Sequence, residues 1–366
     1  MGNSVMDVAA DMAAISKFYS PGAWIEGRAE DQLNHVAGWP GMRRIAAFPD
    51  LHPGRYGPVG AAFLADRIYP QLIGPDIGCG MALFELDLPL RRLKLDKAAR
   101  RLRVLEDPAD HMAEVLTEAG LPQDWATALG TIGGGNHFCE LQVVETSATT
   151  SLAEGTLCVM VHSGSRGMGA AIFNRLEGRW NAGFDPAGPE AVQYLALHDQ
   201  ATRWAALNRQ MIAERAAIAL GAQASRLADA PHNHLSRYGH QWLHRKGAAA
   251  VVEPLVPLAG SRDSHSYVLS PRAGADALDS LAHGAGRRYD RSSMHGRVRC
   301  KKSDMARMSR NPFGGRIICE DRDLLVEEAG TAYKSAKAVV QDLDQFGLAR
   351  IAAVMRPVLT YKKAVR

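Results

Sequence analysis

Cysteine is scarce in this chain, with five residues among 366. Cys79, Cys139, Cys158, Cys300 and Cys319 are scattered without close pairs, which excludes a disulfide framework and leaves each as core filler or thiolate ligand. Long apolar runs are missing as well: nothing approaches the roughly 18 uninterrupted residues that a membrane-spanning helix needs. Residues 1–17 carry Asp7 and Asp11 and lack a basic start followed by an apolar core, so they do not read as a secretory signal. Met6 stands where a myristoylation site requires Ser or Thr. A cytoplasmic protein with no membrane association is the expectation. No internal repeat and no low-complexity linker is found, and 46% hydrophobic with 22% charged residues excludes a disordered tail or a coiled coil.

Glycine is what the chain has in excess, 35 residues, many of them clustered beside His, Asn or Asp. Such clusters suit tight backbone turns around a site better than linkers. Charge is uneven. The net is +4, yet residues 287–316 alone sum to +8, leaving −4 for the rest. A basic block of this kind is either a solvated face or a contact for a nucleic-acid backbone.

Periodicity yields a coarse map. Short apolar runs broken by Gly and Pro over 60–90 predict strands with tight turns. Residues 94–119 predict a helix, and the run GTLCVMVH at 155–162 predicts a buried strand. Leu197, Trp204, Leu207, Met211 and Ile218 recur at helical intervals before Gly221, predicting a helix over 198–220. Short apolar runs return over 248–259, and the tail over about 331–357 predicts helix. Length alone suggests about two domains at roughly 150 residues each. The motifs, however, are dispersed from residue 50 to the C-terminus, which favours one integrated domain over 1–366, with 1–24 as an N-terminal extension.

Five motifs carry the chemistry. Asp76 and Cys79 in Gly74-Pro75-Asp76-Ile77-Gly78-Cys79-Gly80 can converge on one cation. Gly133-Gly134-Gly135-Asn136-His137-Phe138-Cys139-Glu140 offers backbone amides to a phosphate beside polar side chains. His162 ends an apolar strand before Ser163-Gly164-Ser165-Arg166. Pro231-His232-Asn233-His234, with His240 and His244 nearby, offers imidazoles for a metal. His283-Gly284-Ala285-Gly286-Arg287 presents a sterically open His fit for covalent attack. Each motif alone has a bland reading as a turn, a cap or a core residue. Together Asp76, Cys79, His137, His162 and His232 suit one first-row transition ion, or two sharing the cysteine, and softness alone favours zinc, iron or cobalt.

The set resembles the RtcB family of RNA-splicing ligases from about Ile25 to Lys363. The strings that carry the resemblance are FPDLH at 48–52, PDIGCGM at 75–81, GTIGGGNHFCEL at 130–141, HSGSRG at 162–167, HN at 232–233 and HGAGR at 283–287. The resemblance implies a compact mixed α/β domain, with β-sheets flanked by helices around a dinuclear manganese site. Asp76 and His137 would hold one ion, His162 and His232 the other, with Cys79 bridging. His283 would attack GTP and become a His–GMP adduct. Asn136, His137, Phe138, Cys139, Glu140, His232, Asn233, Gly260, Ser261, Ser266, His283, Gly284, Ala285, Gly286 and Lys362 would hold the guanylate. The implied reaction joins RNA 3′-phosphate or 2′,3′-cyclic phosphate ends to 5′-hydroxyl ends, with the basic segment 287–316 on the RNA.

One string departs from the family. The usual Pro-Gly-Ser-Met turn reads Ala259-Gly260-Ser261-Arg262, which places a charge beside the nucleotide. The chain is also short, and it resembles the branch associated with peptide release factor H, which implies ribosomal RNA repair by a monomer. Two other readings stay open: a metal phosphoesterase that opens cyclic phosphates without joining, and a non-catalytic RNA-binding module.

Overall fold

In the computed structural model, residues 12–176, 178–179, 182–272, 274–298 and 302–363 are described. Cys300, together with Arg299 and Lys301 of the basic block, lies outside them, as does the start of the N-terminal extension. In chain order the strands are β1 (Ala14–Lys17), β2 (Met42–His52), β3 (Val59–Ala65), β4 (Gly80–Leu86), β5 (Phe138–Ser147), β6 (Leu157–Ser163), β7 (Ala224–Pro231), β8 (Asn233–Tyr238), β9 (Gln241–Lys246), β10 (Ala248–Ala250), β11 (Val256–Leu258), β12 (Ser266–Pro271), β13 (Ser280–Ala282), β14 (Arg316–Cys319) and β15 (Ala349–Lys363).

Two mixed sheets organise them into a single mixed α/β domain. One runs β1-β2-β3-β9-β8, with β1 parallel to β2 and the remaining pairs antiparallel. The other runs β11-β12-β15-β5-β6-β4-β7, and β14 adds to it in parallel beside β15. A short pair, β10 with β13, stands apart. β6 is buried at every position, which is why it reads as a continuous apolar run rather than as an alternation.

The helix Pro189–Leu220 is the main cover of the larger sheet, and it burdens its buried face with more than apolar side chains. Trp204, Ile212, Ala213 and Ala216 pack inward, but so do Asn208 and Arg209. Arg209 donates through Nε and Nη2 to both carboxylate oxygens of Asp229, at 2.7 and 2.9 Å. Its Nη1 reaches the carbonyls of Gly78 and Ser163 at 2.7 and 3.0 Å. One buried guanidinium thus ties the start of β4 to the end of β6. The helix ends where Gly221 adopts a left-handed conformation (φ 76°), as the sequence expected.

Three expectations need correction. The helix over 94–119 is broken: helical residues Leu95–Arg101 continue as a 3₁₀ segment to Glu106, and a separate helix spans Met112–Glu118. Pro108 accounts for the break, because proline removes a donor and restricts its predecessor. Ile218, placed on the apolar stripe, is exposed instead. The tail is helical only over Ala336–Gln345; left-handed Gly347 (φ 70°) ends the helix, and β15 follows as an interior strand between β12 and β5.

A candidate metal and nucleotide site

Antiparallel pairing decides which residues meet. β4 and β5 start at the edge of the sheet where β6 and β7 end: Gly80 is opposite both Ser163 and Pro231, and Phe138 is opposite His162. Cys79, His137, His162 and His232 stand at or just beyond those four strand ends and therefore share one small volume. Two overlapping triads result, Asp76–Cys79–His137 and Cys79–His162–His232, with the thiol common to both. Cys79 Sγ lies 3.5 Å from His137 Nε2 and 3.2 Å from His162 Nε2, and the Nε2 atoms of His162 and His232 are 3.3 Å apart. Asp76 Oδ2 is 3.0 Å from His137 Nε2.

The arrangement fits divalent cations. His162 Nδ1 is 3.2 Å from the carbonyl of Asn136, so that nitrogen carries the proton and Nε2 turns a bare lone pair toward the cluster. Burial pushes His162 and His232 well below the usual imidazole range, which keeps both neutral and able to ligate. Burial opposes ionisation of Asp76, but His137 outweighs it and holds the carboxyl at about 2. Burial, then the Asp76 carboxylate, push the Cys79 thiol up, a shift that a bound cation reverses. Close approach is needed as well: a Cβ on Gly164 would collide with the Asp76 carboxylate.

A cavity of about 320 Å³ opens from this cluster. His283, just past β13, faces into it, its ring centroid 4.6 Å from that of His232. Its Nδ1 lies 2.6 Å from Oδ2 of Asp50, which also accepts the His283 backbone amide at 3.1 Å. Asp50 is fully buried near the end of β2. Lys334 secures that stretch by donating to the carbonyls of Pro49 and Leu51, at 3.0 and 2.6 Å. Gly286 is left-handed (φ 71°), and a Cβ there would strike the Asp50 backbone, so HGAGR packs directly on FPDLH.

Further along the cavity stand Asn136, Phe138, Glu140, Asn233, Gly260, Ser261, Gly284, Ala285, Gly286, Thr360 and Lys362. Burial pushes the Glu140 carboxyl up to about 7, against the pull of its bonds from Thr360 and Gln142. Ser266 turns inward to accept from the Gly260 amide at 3.0 Å and from Gln142 Nε2 at 2.9 Å. Arg262 lines the cavity with a buried side chain whose Nε and Nη1 find no hydrogen-bond partner among the described residues; Asp263 is 3.7 Å away. Lys362 Nζ is 2.9 Å from Glu328, a buried carboxylate that also takes Arg287 at 3.0 Å and the Tyr333 hydroxyl. Burial opposes its ionisation, but Lys362, Tyr333 and Arg287 outweigh this and hold Glu328 at about 2.

Not every sequence candidate faces the cavity. Alternation along β5 turns Cys139 the other way, into the apolar cluster of Leu141, Val159 and Tyr361, where burial raises its thiol to about 12. His234 meets Arg245 at 3.2 Å, His244 accepts the Tyr69 amide at 2.9 Å, and His240 is exposed, so none of the three joins the cluster. Sequence reasoning assigned no role to Asp50 and overlooked Glu328 and Tyr333. For Asp50 a signal existed, an acid inside the FPDLH string; for the other two there was none.

Glu140 gives a pH-dependent expectation. Its pKa is raised in the fold, so between about 4.5 and 7 the folded chain binds more protons than the unfolded one, and stability falls as pH rises through that window. Glu140→Gln removes this penalty. The variant should melt several degrees above wild type at pH 8 and show no gain at pH 4, as read by calorimetry without nucleotide.

The site defines a class: a mixed α/β protein in which thiol, imidazole and carboxyl groups that could hold a metal ion face a histidine whose Nδ1 is bonded to a buried carboxylate. The pattern of the family described as tRNA-splicing ligase RtcB matches residues 32–111 and 106–363. The chain is 42% identical over 365 residues to an RNA-splicing ligase RtcB2 of Escherichia coli, covering 96% of each. It is 29% identical to an RNA-splicing ligase RtcB of Mycobacterium tuberculosis, over 89% of this chain and 98% of that one. A tRNA-splicing ligase RtcB of Thermococcus kodakarensis is likewise 29% identical, over 91% and 90%. The chain belongs to the RtcB family.

Proposed function

We propose that this chain is a GTP-dependent RNA ligase, joining RNA 3′-phosphate or 2′,3′-cyclic phosphate ends to 5′-hydroxyl ends through guanylylated His283. The observation that carries the reading is the Asp50–His283 pair: with Nδ1 bonded to the carboxylate, Nε2 is left as a nucleophile in the cavity that holds the cation ligands. The Nε2 lone pair attacks the α-phosphorus of GTP, the bond to pyrophosphate breaks, and GMP stays on the ring. A cyclic end is first opened by water, the P–O2′ bond breaking to leave a 2′-hydroxyl and a 3′-phosphate; an oxygen of the 3′-phosphate then takes GMP from His283 and forms an anhydride. The 5′-hydroxyl then attacks that phosphate, loses its proton, and GMP leaves.

Asp76, Cys79 and His137 would hold one divalent cation and Cys79, His162 and His232 a second. Two such ions, manganese in the family resembled, neutralise charge on the transferring phosphoryl group. Glu140 and Lys362 supply an acceptor and a donor for the guanine, and Asn136, Phe138, Asn233, Gly260, Ser261 and the turn 283–286 enclose the rest of the guanylate. Glu328 and Tyr333 fix Lys362. The basic segment 287–316 would contact RNA, and the family branch resembled points to damaged ribosomal RNA, a release factor H partner and a monomer. Among the described residues no helix is long and apolar enough to cross a membrane.

The test is joining itself. Protein, GTP, manganese and two RNA strands, one with a 3′-phosphate and one with a 5′-hydroxyl, should give a joined strand that disappears when GTP is omitted. Opening of a cyclic phosphate without joining would replace this reading by the phosphoesterase one, and binding without either change by the non-catalytic one.

A further inference from the structure

A second concavity lies behind the first. It measures about 660 Å³ and is lined by Trp24, Pro49, Arg288, Tyr333 and Lys334, among others. Tyr333 belongs to both cavities, and consecutive residues divide between them: Arg287 turns inward to Glu328, whereas Arg288 faces the groove. Pro49, in the groove lining, takes a hydrogen bond from Lys334 and directly precedes Asp50, the partner of His283.

The lining combines aromatic faces with unneutralised cations. Trp24 is 39% exposed, a costly placement for the largest side chain unless something covers it. The Arg288 guanidinium lies 5.7 Å from its ring centroid and Lys334 Nζ also 5.7 Å. Tyr289 approaches Trp24 edge-on at 6.3 Å, and Arg288 and Arg297 lie 5.4 and 3.9 Å from the Tyr289 ring. Among the described residues, no carboxylate pairs with Arg288 or Arg297. The acid in the groove, Asp342, is turned to the Ser20 amide at 3.3 Å.

We infer that this groove seats a single-stranded RNA segment next to the joint, with one base stacked on Trp24 and its flanking phosphates on Arg288 in the lining and on Arg297 beyond it, across Tyr289. Stacking platforms interleaved with cations are what unpaired strands require, because every base has a π-face and every linkage a charge. The ligase reading enters only in the choice of RNA as the occupant. An acidic protein segment would use the same cations but leave Trp24 uncovered. Either strand, the one ending in the 3′-phosphate or the one beginning with the 5′-hydroxyl, presents this chemistry.

The experiment measures binding of two labelled RNA 10-mers, one of each end type, by fluorescence anisotropy without GTP. Trp24→Ala should raise Kd about 5- to 150-fold for whichever strand fills the groove, the range that loss of one stacked base gives. Trp24→Phe should recover most of that loss. Arg288→Gln should reduce the salt dependence of log K by about 0.7, one phosphate on a single strand. GTP labelling of His283 serves as the fold control and should be unchanged in Trp24→Ala. Should that variant lose labelling too, Trp24→Phe and Arg288→Gln decide. Unaltered Kd for both strands in Trp24→Ala would overturn the inference, and an effect of Arg288→Gln alone would reduce the groove to a phosphate contact without base stacking, which overturns it as well. A wild-type chain that binds RNA through Trp24 but neither labels nor joins would instead remove the ligase reading and leave the groove standing.

Discussion

Changing His283 to Ala is expected to abolish covalent guanylylation and to reduce RNA joining by about 10⁴-fold or more, the scale on which losing a covalent nucleophile acts. The expectation follows from where the ring sits. Nδ1 is committed to Asp50 at 2.6 Å, so no second orientation could offer another nitrogen, and among the described residues no other cavity-lining imidazole stands outside the cation cluster with a free Nε2 except His52. His52 is a poor substitute, because its Nδ1 faces the neutral Asp50 carbonyl at 2.8 Å rather than a carboxylate that would stabilise a cationic ring, and burial pushes the imidazole down to about 4. His283 also lies outside both ligand triads. The variant should therefore retain the metal content of wild type and, if cyclic phosphates are opened at the cation pair, that activity too. Labelling with GTP carrying a radioactive α-phosphate, analysed on a denaturing gel beside metal analysis, checks both halves. A joined product formed at the normal rate would exclude His283 as the nucleophile.

The clustered Asp76, Cys79, His137, His162 and His232 were legible as candidates because each sits in a short string whose residue types suggest coordination, and because a continuous apolar run ending in His162 announces a buried strand with a histidine at its tip. What the sequence could not convey was their convergence. That depends on the antiparallel register of β4 to β7, which puts two strand starts and two strand ends at one edge. Cys139 illustrates the limit: its string is right, but strand alternation alone decides that Glu140 faces the cavity and Cys139 the core. Arg209 illustrates another. On a helix read from its apolar stripe it looks like a solvent-facing residue, yet it is buried and holds β4 to β6 through Gly78 and Ser163.

The tail was misread for a similar reason. Residues 331–357 hold one true amphipathic helix, and beyond Gly347 the strand opens with Arg350 and Ile351 exposed side by side and Ala352 and Ala353 buried side by side, a bulged start that lacks a clean period of two. That strand carries Thr360 and Lys362 to the cavity, Thr360 opposite Glu140 on β5. Glu328 and Tyr333, which hold Lys362 and Arg287, lie in a turn segment between helices and belong to no string. Their importance is visible only once two cations, Lys362 and Arg287, and the Tyr333 hydroxyl are found donating to one buried carboxylate.

Asp50, like His52, stands in a recognised string yet had no role legible in sequence beyond shaping the turn, and it supports the second large expectation. It is separated from His283 by 233 positions, so only the fold brings them together. Asp50→Asn should slow guanylylation of His283 by about 10²–10⁴-fold, comparable to loss of the orienting carboxylate in a catalytic triad. Either placement of the new amide fails. With its nitrogen toward the ring, it donates where Nδ1–H must donate, and the proton is forced onto Nε2, the atom that attacks. With its oxygen toward the ring, the tautomer survives but the negative charge is lost, just as the ring becomes cationic on bonding phosphorus. GTP affinity should change little, because Asp50 is sealed from solvent and is not among the residues lining the cavity. Single-turnover labelling compared with equilibrium binding of GTP separates the two effects. A wild-type labelling rate would reduce Asp50 to a fold residue, whereas a slow rate with intact GTP binding assigns it the orientation of the nucleophile.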